Sequence, residues 1–181
     1  MRVVAGSAKG RRLAPVPPGT RPLSDRAREG LFSSLGEAVV DARVLDLYAG
    51  TGANGIEALS RGAREAVFVE KSPPAIRALR VNLQRTGLEE RGTILRRDVL
   101  RFLATAPPDP FELIFLDPPW ATPPGELDGL VAGLDAGWLS AGWTVVLHRP
   151  SQGYMPVIPV NWHVAKRLGY GDSLLALYRE V

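Results

Sequence analysis

The stretch with most chemical potential in this 181-residue chain is Asp117-Pro118-Pro119-Trp120. It closes the apolar run Phe111-Glu112-Leu113-Ile114-Phe115-Leu116, and so marks where a buried strand leaves the edge of a sheet. Two consecutive prolines lack the N–H that a ladder needs and fix φ, so the strand stops there. The result is a rigid corner carrying a carboxylate, outward-facing carbonyls and a flat indole. Such a corner accepts hydrogen bonds from an amine and stacks on a planar ring.

A second set of residues lies upstream. Asp46-Leu47-Tyr48-Ala49-Gly50-Thr51-Gly52 ends the run Val44 to Tyr48, and its glycines let backbone approach a ligand where a side chain would collide. Glu70 ends the next apolar run 24 residues after Asp46, at the distance where dinucleotide-type folds set an acid against ribose hydroxyls. Asp98 follows a third run, placed to accept from an adenine amino group. A pyrophosphate disfavours a carboxylate such as Asp46 beside its turn, whereas a cationic ligand suits one. The bare pattern Gly50-Thr51-Gly52-Ala53-Asn54-Gly55 also fits a nicotinamide-dinucleotide turn, so the turn alone does not decide.

These residues must be held by an alternating chain of short β runs (44–48, 66–70, 93–96, 111–116, 144–148) and helical stretches (53–61, 73–86, 98–105, 125–136). This alternation predicts an α/β, Rossmann-like, mostly parallel sheet. Two further runs, Tyr154 to Arg167 and Leu174 to Arg179, have no room for a helix between them, which predicts a C-terminal antiparallel hairpin and seven strands in all. Residues 1–19 read as an extended basic arm with a turn at Ser7-Ala8-Lys9-Gly10. Ser24 or Asp25 caps a helix ending at Gly36. The organisation expected is an N-terminal extension over 1–40 and a catalytic domain over 41–181.

Composition narrows the chemistry. The chain contains no cysteine, which excludes disulfides, thiolate metal sites and a covalent Cys adduct. His148 and His163 are far apart and lack ligand spacing, so no metal is expected. No run of about 20 apolar residues and no apolar leader core is found, which predicts no membrane partner and a cytoplasmic location. Residues 1–30 carry +5 of a net charge of +3, through Arg2, Lys9, Arg11, Arg12, Arg21, Arg26 and Arg28 against Asp25 and Glu29. Clustered cations on a near-neutral body predict a polyanion partner.

The Asp46, Gly-turn, Glu70 and Asp98 series resembles the class I S-adenosylmethionine-dependent methyltransferases. That resemblance implies that Asp46, Ala49, Gly50, Thr51 and Gly52 hold the methionine moiety, Glu70 the ribose, and Asp98 with Val99 the adenine, with Tyr48 and Lys71 also at the cofactor. Asp117-Pro118-Pro119-Trp120 is similar to the Asp/Asn-Pro-Pro-aromatic motif of amino-methyltransferases, with Trp120 in place of the usual Phe or Tyr. There Asp117 and the Pro118 carbonyl would accept the amine protons and Trp120 would stack on the base. With Arg2-Val3-Val4-Ala5-Gly6, Lys9-Gly10-Arg11-Arg12-Leu13 and residues 21–32, nearly the whole chain resembles the bacterial family that methylates N2 of a guanine in small-subunit ribosomal RNA. The family pattern implies that Arg2, Lys9, Arg11, Arg12, Arg21, Ser24 and Arg26 meet RNA, within a partly assembled subunit. Lys166-Arg167-Leu168-Gly169-Tyr170-Gly171 is similar to its terminal turn. DNA adenine-N6 methylation, protein glutamine methylation and non-catalytic RNA binding are the competing readings.

Overall fold

The computed structural model describes residues 1–18, 21–107 and 109–181. The chain runs α1 (Asp25–Leu35), β1 (Arg43–Leu47), α2 (Ala53–Ser60), β2 (Glu65–Glu70), α3 (Pro73–Thr86), β3 (Gly92–Arg96), α4 (Val99–Leu103), β4 (Phe111–Leu116), α5 (Pro124–Asp135), β5 (Leu139–Pro150), β6 (Trp162–Tyr170) and β7 (Ser173–Glu180). The seven strands form one sheet in the order β3-β2-β1-β4-β5-β7-β6. β1 to β5 are parallel, and β7 pairs antiparallel with both β5 and β6. This is the expected sheet with its terminal hairpin.

Alternation along the strands divides the core. Val44, Phe68, Leu113, Phe115 and Val146 face a layer that includes Ala27, Leu31, Phe32, Ile56, Leu59 and Leu79. Leu45, Leu47, Val69, Ile114, Leu116 and Val145 face Phe102, Leu127, Leu130, Leu134 and Trp138. Both faces of the central strands are therefore dry, as a parallel sheet covered by crossover helices requires. A ligand reaches the sheet only at its rim.

Two segments depart from expectation. Residues 154–161 are not a strand, because Pro156 and Pro159 supply no ladder donors and the Val157 N–H is taken by the Asp128 carboxylate at 2.9 Å. β6 therefore begins only at Trp162. Residues 1–18 do not form an extended arm. The turn at Ser7–Gly10 is present, but the chain folds back through a bridge between Arg2 and Arg12 and buries Val3, Ala8 and Leu13 in the first core layer. Glu57, fully buried on α2, accepts from the Val4 and Ala5 N–H groups at 2.8 and 3.0 Å. Arg28, counted with the free basic residues, is also fully buried and pairs with Asp25 at 2.8 Å, so it holds this segment and is not a surface cation.

Candidate active site

A cavity of about 710 Å³ opens at the carboxyl ends of the parallel strands. Tyr48, Gly50, Thr51, Glu70, Lys71, Asp98, Val99 and all of Asp117 to Trp120 line it, so residues from four chain regions meet at one rim. This is where open α/β sheets bind ligands. Val16, Pro17, Pro18, Arg21 and Pro22 close it from the N-terminal side.

The Gly-rich turn follows β1. Tyr48, Gly50 and Gly52 all have positive φ (58°, 58° and 81°), a conformation that only glycine adopts without strain. A Cβ on Gly52 would lie 2.1 Å from Leu79 Cδ1, so the turn packs straight onto α3. Glu70 ties this turn to the start of α3. One carboxylate oxygen accepts the Gly50 N–H at 2.8 Å, and the other accepts the Lys71 and Ser72 N–H groups, each at 2.8 Å. A carboxylate has about four acceptor positions, so one remains for a ligand.

Asp98 caps α4 by accepting the Arg101 N–H at 3.3 Å and pairs with Lys71 Nζ at 3.3 Å. Desolvation works to raise its pKa, but the Arg101 N–H and the Lys71 ammonium outweigh it and hold the carboxyl below its ordinary value. Tyr48 shifts upward through desolvation and then the charges of Glu126, Asp98 and Glu70, and it stays a neutral donor. Glu70, Asp98, Asp117 and Glu126 stand in the wall against Arg21, Lys71 and Arg97, so the lining carries a slight net negative charge with acids and cations interspersed.

Asp46, Ala49 and Gly52 do not reach the cavity wall. Asp46 is 1% exposed and lies beneath the turn, accepting the Gly55 N–H at 2.9 Å. Its pKa is raised well above the ordinary value, first by burial, against the Gly55 hydrogen bond, with Asp117 and Glu70 adding to the rise. An acid whose pKa rises on folding binds its proton more tightly in the fold. Its contribution to stability is present at low pH and is lost as pH climbs from the ordinary aspartate range through the raised value. Wild-type thermal stability should fall across that window, and Asp46→Asn should flatten the decline, as calorimetric melting against pH would show. An equal decline in both proteins would assign the effect elsewhere.

At the reaction end, Pro118 is buried, Pro119 is exposed and Trp120 is half-buried. Asp117 accepts from His148 Nδ1 at 2.8 Å. Arg149 donates to the Pro119 and Trp120 carbonyls at 3.1 and 3.2 Å, and the Pro118 carbonyl has no donor among the described residues. Arg21 stacks over the Trp120 ring at 4.8 Å and pairs with Asp172 in the β6–β7 turn. Of the basic residues expected at RNA, only Arg21 lines the cavity. Lys9, Arg11 and Arg12 are exposed on the N-terminal hairpin, Arg2 sits beside Asp25, Arg26 is exposed on α1, and Ser24 caps that helix through the Ala27 N–H.

Sequence reasoning passed over His148, Arg149 and Asn82. Asn82, fully buried on α3, accepts the Ala14 N–H at 2.6 Å and donates to the Thr51 carbonyl at 2.8 Å, which links hairpin to turn. A polar residue at an apolar helix position is the signal that marks it. For His148-Arg149 the signal is a polar pair ending an apolar run, which gains meaning only when β5 is known to lie beside β4.

This sheet order, with a Gly-rich turn and an Asp-Pro-Pro-Trp corner facing one cavity, defines a methyltransferase of the Rossmann-like class. The model of the family described as Conserved hypothetical protein 95 matches residues 1–179, and the chain belongs to that family. It is 35% identical over 182 residues to Ribosomal RNA small subunit methyltransferase D of Escherichia coli, covering 99% of this chain and 89% of that one. The Bacillus subtilis protein YlbH is 42% identical over 184 residues, with 99% of each chain covered. Among solved structures, the Escherichia coli protein yhhF superposes with a TM-score of 0.88 at 34% identity, over 99% of this chain and 97% of that one.

Proposed function

We propose that this chain transfers a methyl group from S-adenosylmethionine to the exocyclic N2 amine of a guanine in small-subunit ribosomal RNA, in the cytoplasm. The observation that carries the reading is the pairing of two acceptors, the Asp117 carboxylate and the open Pro118 carbonyl, with an indole on the wall of one cavity. The relative named for the small-subunit RNA reaction in Escherichia coli covers 99% of this chain and supports the choice of polymer.

The residues fit the cofactor. The free acceptor position of Glu70 suits ribose hydroxyls, Asp98 and the Val99 backbone suit the adenine edge, and the turn from Tyr48 to Gly52 suits the methionine end above the buried Asp46. When bound, S-adenosylmethionine supplies an electrophilic methyl on a sulfonium. The chain's part is to orient the amine: Asp117 and the Pro118 carbonyl accept its two hydrogens, which localises the lone pair, and Asp117 takes the proton released. Positioning and acceptors matched to charge developing on nitrogen provide the rate. Trp120 stacks on the extruded base, contributing about 1–3 kcal/mol. Residues 1–40 serve as an RNA-binding extension of the domain over 41–181, and a partly assembled subunit is the substrate.

Incubation with labelled S-adenosylmethionine should transfer methyl to small-subunit RNA, most efficiently within protein-bearing particles. No transfer to either form would overturn the reading. In the same assay Arg11→Ala with Arg12→Ala should weaken RNA binding and reduce its log–log salt slope by roughly one per lost phosphate contact. An unchanged slope would return the hairpin to an ordinary solvated face.

A further inference from the structure

β5 and β4 are in register at Leu147 and Leu116, so His148 on β5 and Asp117, the residue that follows β4, come together. His148 is 2% exposed. Its Nδ1 lies 2.8 Å from Asp117 Oδ1 and its Nε2 lies 3.1 Å from Ser173 Oγ, at the first position of β7. An ionised carboxylate only accepts, so Nδ1 carries the hydrogen. A neutral imidazole then presents a lone pair at Nε2, and Ser173, whose hydroxyl can donate, fills that position.

We propose that His148 is a positioning residue for methyl transfer, fixing the plane of the Asp117 carboxylate through an Nδ1–H tautomer that Ser173 selects. This role rests on the transfer reaction proposed above. A carboxylate on a single rotatable bond can turn its lone pairs away from an incoming amine. With Oδ1 held by His148, Oδ2 has no donor among the described residues and is left for an amine in the cavity that Asp117 lines. The other groups packed here are Arg149, whose two terminal guanidinium nitrogens donate to the Pro119 and Trp120 carbonyls and whose charge acts on Asp117, and Trp120, which meets the His148 ring edge-on at 6.0 Å. Consecutive residues of β5 thus fix both parts of the corner, with His148 on the side chain and Arg149 on the backbone. Packing alone would not require a histidine here, since Val146, on the same face of β5, is buried as an apolar side chain.

The test separates positioning from folding. In His148→Ala the single-turnover transfer rate should fall about 10- to 100-fold, as small misplacements of reacting groups do, with KM for RNA and Kd for S-adenosylmethionine unchanged. His148→Asn places an amide N–H near the position of Nδ1 and should recover most of the rate. His148→Gln extends one bond further and should not. Nitrogen-15 long-range correlation spectra of the wild type read the tautomer without any turnover, and only His163 shares that region of the spectrum. Nδ1–H at His148 is expected, and Ser173→Ala should mix the two tautomers. An Nε2–H tautomer in the wild type, full activity in His148→Ala, or equal activities of the Asn and Gln variants would each overturn the proposal. If His148→Ala fails to fold, the Asn and Gln pair decides. A wild type that transfers nothing removes the reaction and this role together, whereas an active wild type with an equally active His148→Ala removes the role alone.

Discussion

Asp117→Ala should lower the single-turnover rate of methyl transfer by about 10²- to 10³-fold while leaving the Kd for S-adenosylmethionine unchanged. The size follows from removing one preorganised electrostatic contact at the reacting atom. The split follows from the geometry: Asp117 lies at the β4 corner with Trp120, whereas the proposed cofactor contacts lie on β1, β2 and the start of α4. The alanine variant also strands the His148 Nδ1–H in a buried position, at about 1–3 kcal/mol of stability. Asp117→Asn should separate these losses. Its amide oxygen accepts from His148 and preserves the fold, but its NH₂ then faces the amine and repels it, so transfer stays low while the melting temperature recovers. Single-turnover transfer, calorimetric titration with the cofactor and thermal melting together check the prediction. Equal loss of cofactor affinity in Asp117→Ala would place Asp117 in the cofactor shell and overturn the assignment.

How far such a site is legible in a sequence depends on the range of the interactions that build it. Strand β4 spans Phe111–Leu116 as its apolar run predicts, because a strand buried on both faces leaves a local signal. The start of β5 left none: Leu139-Ser140-Ala141-Gly142 has one large apolar side chain and no β-branched residue, and it joins the sheet through an irregular register with Phe111. The same distinction holds for the acids. Position at a strand end marked Asp46, Glu70 and Asp98 alike, yet Asp46 lies under the turn while Glu70 and Asp98 stand in the wall. Which of these a carboxylate does is set by its donors, Gly55 in one case and Lys71 with Ser72 in another, and the choice among them is tertiary. His148 became readable only through strand order, because it lies 31 residues from Asp117 and bonds to it across neighbouring strands. The N-terminal hairpin was the hardest to see. Its glycines and prolines announce irregular chain, while the group that docks it, Glu57, lies more than 50 residues away.

That docking makes Gly6 the residue whose replacement should alter the most at once. Gly6 has φ +84°, and a Cβ there would lie 1.8 Å from the Ser60 carbonyl oxygen and 2.3 Å from its carbon. Both obstacles are backbone at the end of α2, so no side chain can rotate aside. In Gly6→Val the hairpin must lift. The N–H bonds from Ser7 to the Ser60 carbonyl (2.8 Å) and from Ala8 to Ser60 Oγ (2.9 Å) go with it, and Val3, Ala8 and Leu13 lose their burial. A cost of about 3–5 kcal/mol is expected, since several apolar side chains and buried hydrogen bonds are involved. For a chain of this size that lowers the melting temperature by roughly 6–20 °C. The consequence extends to the cavity, because Ala14 bonds Asn82, Asn82 bonds the Thr51 carbonyl, and Val16 to Pro18 form one wall. Gly6→Val should therefore weaken S-adenosylmethionine binding as well as RNA binding, unlike Asp117→Ala. Hydrogen exchange should show residues 1–18 deprotected while β4 and β5 stay protected, and calorimetric titration should show the loss of cofactor affinity. A melting temperature equal to wild type would mean that the hairpin seats without the Gly6 contact. Unchanged cofactor affinity in a destabilised variant would mean that the Asn82 link does not hold the turn.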